Sequence, residues 1–231
     1  MKVDIGIIGA MDAEVDSLVG MLENKKHDKV GVVDFFSGMI FGKEVVIAKC
    51  GIGKVFAAIC AEAMILKYSP SLIVNTGVGG ALGRGINPTD VVIADKLCQH
   101  DMDTSAIGDP KGLVSGINKI YFDADPRAIL ILKSAADSLG IRSFVGTVAT
   151  GDKFIADPAD KASIVSEFSA ISCEMEGCAI AQVAFVNNVP FAVVRAISDS
   201  ADGEATMDYP TFLPIAAKNS CAMTIALVKG Y

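Results

Sequence analysis

Tryptophan is absent from this chain, and only two histidines, His27 and His100, occur in 231 residues. Aromatic residues make up 6%, so the core has to be built mainly from aliphatic side chains. No CxxC pair is present, and with so few histidines a zinc site lacks its usual ligands. The six cysteines, Cys50, Cys60, Cys98, Cys173, Cys178 and Cys221, stand mostly in apolar surroundings, where cysteine behaves as a small hydrophobe. That usage predicts a reducing, cytoplasmic compartment. No block rich in Lys and Arg occurs, the net charge is −7 and the pI is near 4.8. A nucleic-acid partner is therefore not expected, since it needs a basic face. The longest uncharged run, GCAIAQVAFVNNVPFAVV from Gly177, is interrupted by Asn187-Asn188-Val189-Pro190, which reads as a helix end and a strand start. No membrane span is expected from it. Asp4 interrupts the N-terminus and no small-residue cleavage site follows, so no signal peptide is expected.

What the chain does have is 52% hydrophobic residues and 22 glycines. That fits a compact fold with tight turns. Lys2–Gly9 reads as a first strand. Asp12–Glu23 reads as an amphipathic helix with Val15, Leu18, Val19 and Leu22 on one face. Strands follow at Val32–Gly38 and Glu44–Cys50, then a helix over Val55–Tyr68. Leu72–Thr76 is a buried strand, ended by Gly77-Val78-Gly79-Gly80, and Asp90–Ala94 is another. Periodicity fades from Gln99 to about Asp125, and an irregular segment of that length is usually functional or mobile. Helices are predicted at Pro126–Leu139, Pro158–Phe168, Gly177–Asn187 and about Tyr209–Val228, with strands at Ser143–Thr150 and from Phe191. The alternation predicts one α/β domain over residues 1–231, with a central mixed sheet flanked by helices.

Two glycine-rich turns invite nucleotide readings, and both fail. In Gly51-Ile52-Gly53-Lys54 the first glycine of a phosphate loop is replaced by Ala48, and Val55 stands where Ser or Thr is needed. After Gly77-Val78-Gly79, Leu82 stands where a dinucleotide fingerprint needs its third glycine. Each is read instead as a tight turn that lets backbone approach a ligand or a packed helix. Neither a dinucleotide nor a metal cofactor is expected.

The stretch FAVVRAISDSAD, Phe191 to Asp202, begins as a buried strand and ends in Arg195, Ser198 and Asp199. Ionisable groups at the carboxyl end of such a strand mark ligand sites in open α/β sheets; Asp199 could equally cap a following helix. Glu14 could be a first-turn helix charge. Glu174 and Glu176 could sit on a solvated strand end, but they lie between apolar ISC and GCAIA, and a buried carboxylate is costly unless bonded.

GIIGAMDAE, GIGKV, NTGVGGAL, GDKFI, SCEMEGCAIA and VPFAVVRAISDSAD together resemble the bacterial 5′-methylthioadenosine/S-adenosylhomocysteine nucleosidases of the nucleoside phosphorylase superfamily. The motifs run in the family's order from Met1 to the last helix. The resemblance implies a nucleoside phosphorylase-like fold and hydrolysis of an adenine thionucleoside without a cofactor. It gives Asp199 as the acid to adenine N7, oriented by Ser198, and Glu14 as the base for the attacking water. Arg195 would support the strand end. Glu176 and Met175 would hold the ribose hydroxyls, supported by Glu174. Phe154 would stack on adenine and the Ile155 backbone would meet its edge. Met11, Ile52, Tyr209 and Phe212 would line the sugar and its 5′ substituent. Val78, next to Gly79, replaces the family's usual Ser on the ribose side. A homodimer is implied, with the loop 99–125 near the partner's site, where Thr104, Ile107 and Asp109 depart from the family's bulky residues. The metal-like run His100-Asp101-Met102-Asp103 occurs in the family without metal and is read as structural. A phosphorylase of the same fold and a binding or storage protein without turnover are the competing readings. The first is disfavoured by an acid at the nucleophile side, the second by the presence of both Glu14 and Asp199. The preference among methylthioadenosine, S-adenosylhomocysteine, 5′-deoxyadenosine and futalosine-type substrates is open.

Overall fold

Among the described residues ten strands make one mixed sheet, in the order Phe191–Asp199, Val91–Gln99, Ser143–Thr150, Ser172–Glu174, Leu72–Ala81, Ile5–Gly9, Lys43–Lys49, Val33–Ile40, Glu23–Val30, with Phe122–Asp123 on Val91–Gln99. The computed structural model describes residues 2–199 and 205–231, without the side chains of 205–208. Ser200, Ala201 and Asp202, which belong to the stretch singled out above, lie outside the described residues. The strands are β1 Ile5–Gly9, β2 Glu23–Val30, β3 Val33–Ile40, β4 Lys43–Lys49, β5 Leu72–Ala81, β6 Val91–Gln99, β7 Phe122–Asp123, β8 Ser143–Thr150, β9 Ser172–Glu174 and β10 Phe191–Asp199. The helices are α1 Asp12–Gly20, α2 Lys54–Tyr68, α3 Pro126–Leu139, α4 Pro158–Phe168, α5 Gly177–Val186 and α6 Ala205–Gly230. Because β10 also pairs with β5, the strands β5-β10-β6-β8-β9 close into a ring.

Buried aliphatic clusters fill both faces of the sheet. Ile8, Val46 and Ile73 pack with α2 on one side. Ile5, Ile7, Val45 and Val74 pack with α1 and α6 on the other. Helix α6 contains a stretch, Tyr209–Gly230, that among the described residues is alone in being long and apolar enough to cross a membrane. It packs along β10, β5 and α3, and buries Ala216, Ser220, Met223 and Leu227.

Besides β6, which runs on to Gln99 rather than Ala94, and β7, which falls in the segment read as irregular, three features differ from the sequence reading. β2 was not expected: its sequence ENKKHDKV is largely exposed, with no apolar alternation. It is an edge strand, and its lysines suit an edge that must not pair with other chains. Helix α1 correspondingly ends at Gly20 rather than Glu23. The third difference is Gly77 to Gly80, which do not end β5. The strand runs on to Ala81, because β10 pairs with it as far as Gly80 and β9 pairs with Gly80 and Ala81. These glycines serve close packing. A Cβ on Gly77 would collide with the Arg195 guanidinium and lie 2.6 Å from Glu14 Oε1; one on Gly80 would lie 2.8 Å from Asp199 Oδ2.

Candidate active site

The carboxyl ends of β1, β5, β9 and β10 meet at one cleft of about 560 Å³ of empty space. Its lining brings together Met11, Glu14, Ile52, Val78, Gly79, Phe154, Ile155, Glu174, Met175, Glu176, Ser198, Asp199 and Tyr209, every residue singled out above for catalysis or substrate binding except Phe212. Ala10, Gly80, Lys153 and Cys173 complete it. Arg195 lies beneath the floor.

Glu14 enters from the first turn of α1 and is 2% exposed. Its Oε2 accepts from the backbone N–H of Ala10 at 2.7 Å and of Met11 at 3.0 Å; its Oε1 accepts from Val78 N–H at 3.0 Å. Glu14 therefore caps its own helix and is bonded across to β5. The reading of Glu14 as a first-turn helix charge thus has a concrete form, and three donors fix the side chain's orientation.

Glu174 ends β9. Its Oε2 accepts from the N–H groups of Glu176 and Gly177 at 2.9 and 2.6 Å and pairs with Arg195 Nη2; its Oε1 accepts from the Thr150 hydroxyl. Arg195, 1% exposed, also donates to Asn75 Oδ1, and Asn75 in turn donates to Ile8 O at 2.9 Å. Burial works against the guanidinium charge, but Glu174, Glu176 and Glu14 outweigh it and raise its pKa. The support role implied for Arg195 thus has a concrete form: one cation under three carboxylates.

Glu176 caps α5 and points at the opposite wall, where its Oε1 accepts from Gly53 N–H at 2.9 Å. Burial, then the Glu174 charge, push its carboxyl up to about 7, against the pull of Arg195 and the Gly53 N–H. The turn Gly51–Lys54 is therefore tied to the Glu176 side of the cleft. It is tied to the Phe154 loop as well, since Lys54 N–H donates to Asp152 Oδ1 at 2.8 Å.

Asp199 is 2% exposed. The pairing of β10 with β5 slips between Ile197 and Asp199, and such irregularities re-aim a side chain. Asp199 Oδ1 accepts from the Ser198 hydroxyl at 3.0 Å, and Oδ2 lies 3.8 Å from Lys161 Nζ. Cys173 lines the same wall; burial and the Asp199 charge push its thiol up to about 12, so it stays neutral. Phe154 stands half-exposed at the mouth and meets Tyr209 edge-on, with ring centroids 5.6 Å apart. The Tyr209 hydroxyl reaches Met11 Sδ at 3.5 Å.

The run from His100 to Asp103 serves structure. Asp101 accepts from Lys54 Nζ at 2.6 Å and from Asp152 N–H at 2.9 Å, and Asp103 accepts from Ser105 N–H at 2.9 Å. Among the described residues no three His, Cys, Asp or Glu side chains gather as metal ligands. Thr104 donates to Asp109 at 2.8 Å, Ile107 is 81% exposed, and none of the three lines the cleft. The neighbour of the cleft missed from the sequence is Lys161; it stands three residues before Ile164 and seven before Phe168, so the helical spacing puts it on the buried face of α4, a signal the sequence reading did not use.

The chain matches the phosphorylase superfamily over residues 4–229. It is 40% identical over 225 residues to the 5′-methylthioadenosine/S-adenosylhomocysteine nucleosidase of Actinobacillus succinogenes, covering 97% of each chain. It superposes on that nucleosidase from Neisseria meningitidis in complex with methylthio-immucillin-A with a TM-score of 0.95, 36% identity and 99% of each chain covered. It also superposes on the futalosine hydrolase of Helicobacter pylori, with a TM-score of 0.94, 32% identity and 99% and 98% of the two chains covered. The chain belongs to the phosphorylase superfamily and, within it, to the 5′-methylthioadenosine/S-adenosylhomocysteine nucleosidases.

Proposed function

We propose that residues 1–231 form one catalytic domain that hydrolyses the N-glycosidic bond of 5′-methylthioadenosine and S-adenosylhomocysteine, and also of 5′-deoxyadenosine. The products are adenine and the free sugar. The observation that carries this reading is the placing of Glu14 and Asp199 as separate buried acids lining one cleft, each with its own bonded environment. In this reading the water oxygen bonds to C1′ as Glu14 takes a water proton. The C1′–N9 bond breaks and its electron pair passes into the purine, while the Asp199 proton goes to N7. The sugar becomes cationic on the way, and Glu14, Glu174 and Glu176 set against the single Arg195 leave the floor negative, which favours that cation. The same excess disfavours a phosphate nucleophile. Phe154 and Met11 offer a purine face and a thioether the soft surfaces that suit them.

The test is adenine release in phosphate-free buffer. The free thiosugar should form at full rate. A requirement for added phosphate, with a sugar 1-phosphate product, would move the chain to the phosphorylase reading.

We place the enzyme in the cytoplasm: all six cysteines are free and buried, as a reducing compartment allows. We also expect a homodimer whose loop 99–125 lies near the partner's cleft. Ile52, Val55, Phe56 and Ile59 leave an apolar strip exposed on and beside α2, next to a cleft that Ile52 itself lines, and Ile107 is an exposed apolar tip on the loop. Sedimentation at assay concentration should show a dimer; a fully active monomer would exclude this arrangement.

A further inference from the structure

Lys161 is the only buried lysine among the described residues, at 4% exposed. It lies one turn into α4, whose outer residues, such as Val165, form a surface groove with Leu82 and Arg84. Lys161 is among the residues that line that groove, and its Nζ stands 3.8 Å from Oδ2 of Asp199, which lines the cleft. Its side chain is 5% exposed and that of Asp199 is 3% exposed. A buried ammonium is costly in itself, and an apolar residue of the same length would fill this wall more cheaply. Other groups face Asp199 as well. Ser198 donates to its other oxygen, and the thiol of Cys173 and the phenol of Tyr209 both feel its charge. Lys153, the other lysine of the cleft, is paired outward with Asp160 at 2.6 Å.

We propose that Lys161 is a positioning residue for the acid: its ammonium stabilises the Asp199 carboxylate that forms as the proton passes to the leaving purine. This rests on Asp199 being the acid, as proposed above. Before transfer the ammonium faces a neutral carboxyl group. As the Asp199 O–H bond breaks and the N7–H bond forms, it faces an anion. Attraction that grows along the reaction lowers the barrier rather than merely tightening binding. Lys161 itself gives up no proton. With Ser198 on Oδ1 and Lys161 beside Oδ2, the two oxygens have distinct neighbours, and the carboxyl plane is held.

The test compares two leaving groups. Lys161→Met keeps the stem and removes the charge. On 5′-methylthioadenosine its kcat should fall roughly ten- to a hundredfold, less than the loss of a donor in direct contact with the reacting atoms, with KM near its starting value. On a 5-methylthioriboside carrying 4-nitrophenolate, which departs without a proton, its kcat should be nearly unchanged. Turnover of that substrate also reports an intact fold and sugar site. In an Asp199→Asn background, Lys161→Met should add no further loss on the adenine substrate. Lys161→Gln, uncharged but polar, carries the same expectation should the Met variant not fold. Equal loss on both substrates would show a structural role and overturn the proposal; so would full activity on both, or losses that multiply in the double variant. Normal adenine release by Asp199→Asn alone would instead remove the acid assignment itself, and this inference with it.

Discussion

Asp199→Asn should nearly abolish adenine release while substrate binding largely survives. The asparagine fills the same volume against Gly80. Its amide can still donate a hydrogen bond to purine N7, and its carbonyl can still accept from Ser198. What it cannot do is transfer a proton. Without that transfer the purine has to leave as an anion, and general acid catalysis of this kind contributes about 10²- to 10⁴-fold. Removing the carboxyl also takes away the charge that the Lys161 ammonium would face as the proton leaves, which adds to the loss. The measurement is kcat by adenine release, set beside the dissociation constant of unreacted 5′-methylthioadenosine by calorimetry. A variant that turned over at near the wild-type rate would remove Asp199 from the chemistry. A variant that neither bound nor turned over would show that the residue holds the site together rather than acting in it.

Some of this was legible in the sequence, and the reasons are local. The bounds of α3 and α4 follow from an Asp cap followed by proline, Asp125-Pro126 and Asp157-Pro158, and both cap side chains accept from the helix backbone. β8 reads correctly because Gly140, the C-cap of α3, and Gly151 bracket it. β2 was invisible because an exposed edge strand has no buried face to pattern it. The glycines of β5 misled for a related reason. Glycine more often ends a strand than extends one, and only the neighbours Arg195, Glu14 and Asp199 explain why these positions bear no side chain. The fold class and the list of site residues were available through motifs and resemblance. Their convergence was not, because Glu14, Glu174 and Asp199 are joined through β1, β9 and β10 only once the sheet closes its ring. Lys161 was half legible: its spacing to Ile164 and Phe168 puts it on the buried face of α4, but its place beside Asp199 follows only from how that helix seats against β8 and the end of β10.

Glu14→Gln should cost about 10²- to 10⁴-fold in kcat, the range for loss of a positioned general base. The geometry makes the reason specific. Both carboxylate oxygens of Glu14 accept from backbone N–H groups, Ala10 and Met11 on one side and Val78 on the other. A glutamine can present its carbonyl to only one side. Its amide NH2 then faces an N–H on the other, so one buried donor loses its acceptor, at about 1–3 kcal/mol. The variant should therefore be slower in chemistry and modestly less stable, two effects that separate experimentally. Thermal unfolding reports the lost hydrogen bond, and adenine binding reports whether the purine side is intact. The rate on bound substrate reports the missing base. The nitrophenolate riboside, which needs no acid, still needs an activated water, so Glu14→Gln should be slow on both substrates where Lys161→Met is slow on one. Added phosphate should not rescue it on either substrate, because Arg195 is already paired with Glu174 and Lys153 in the cleft lining is paired outward with Asp160. Retention of near-normal hydrolysis by Glu14→Gln, or its conversion into a phosphate-dependent enzyme, would show that another group selects the nucleophile.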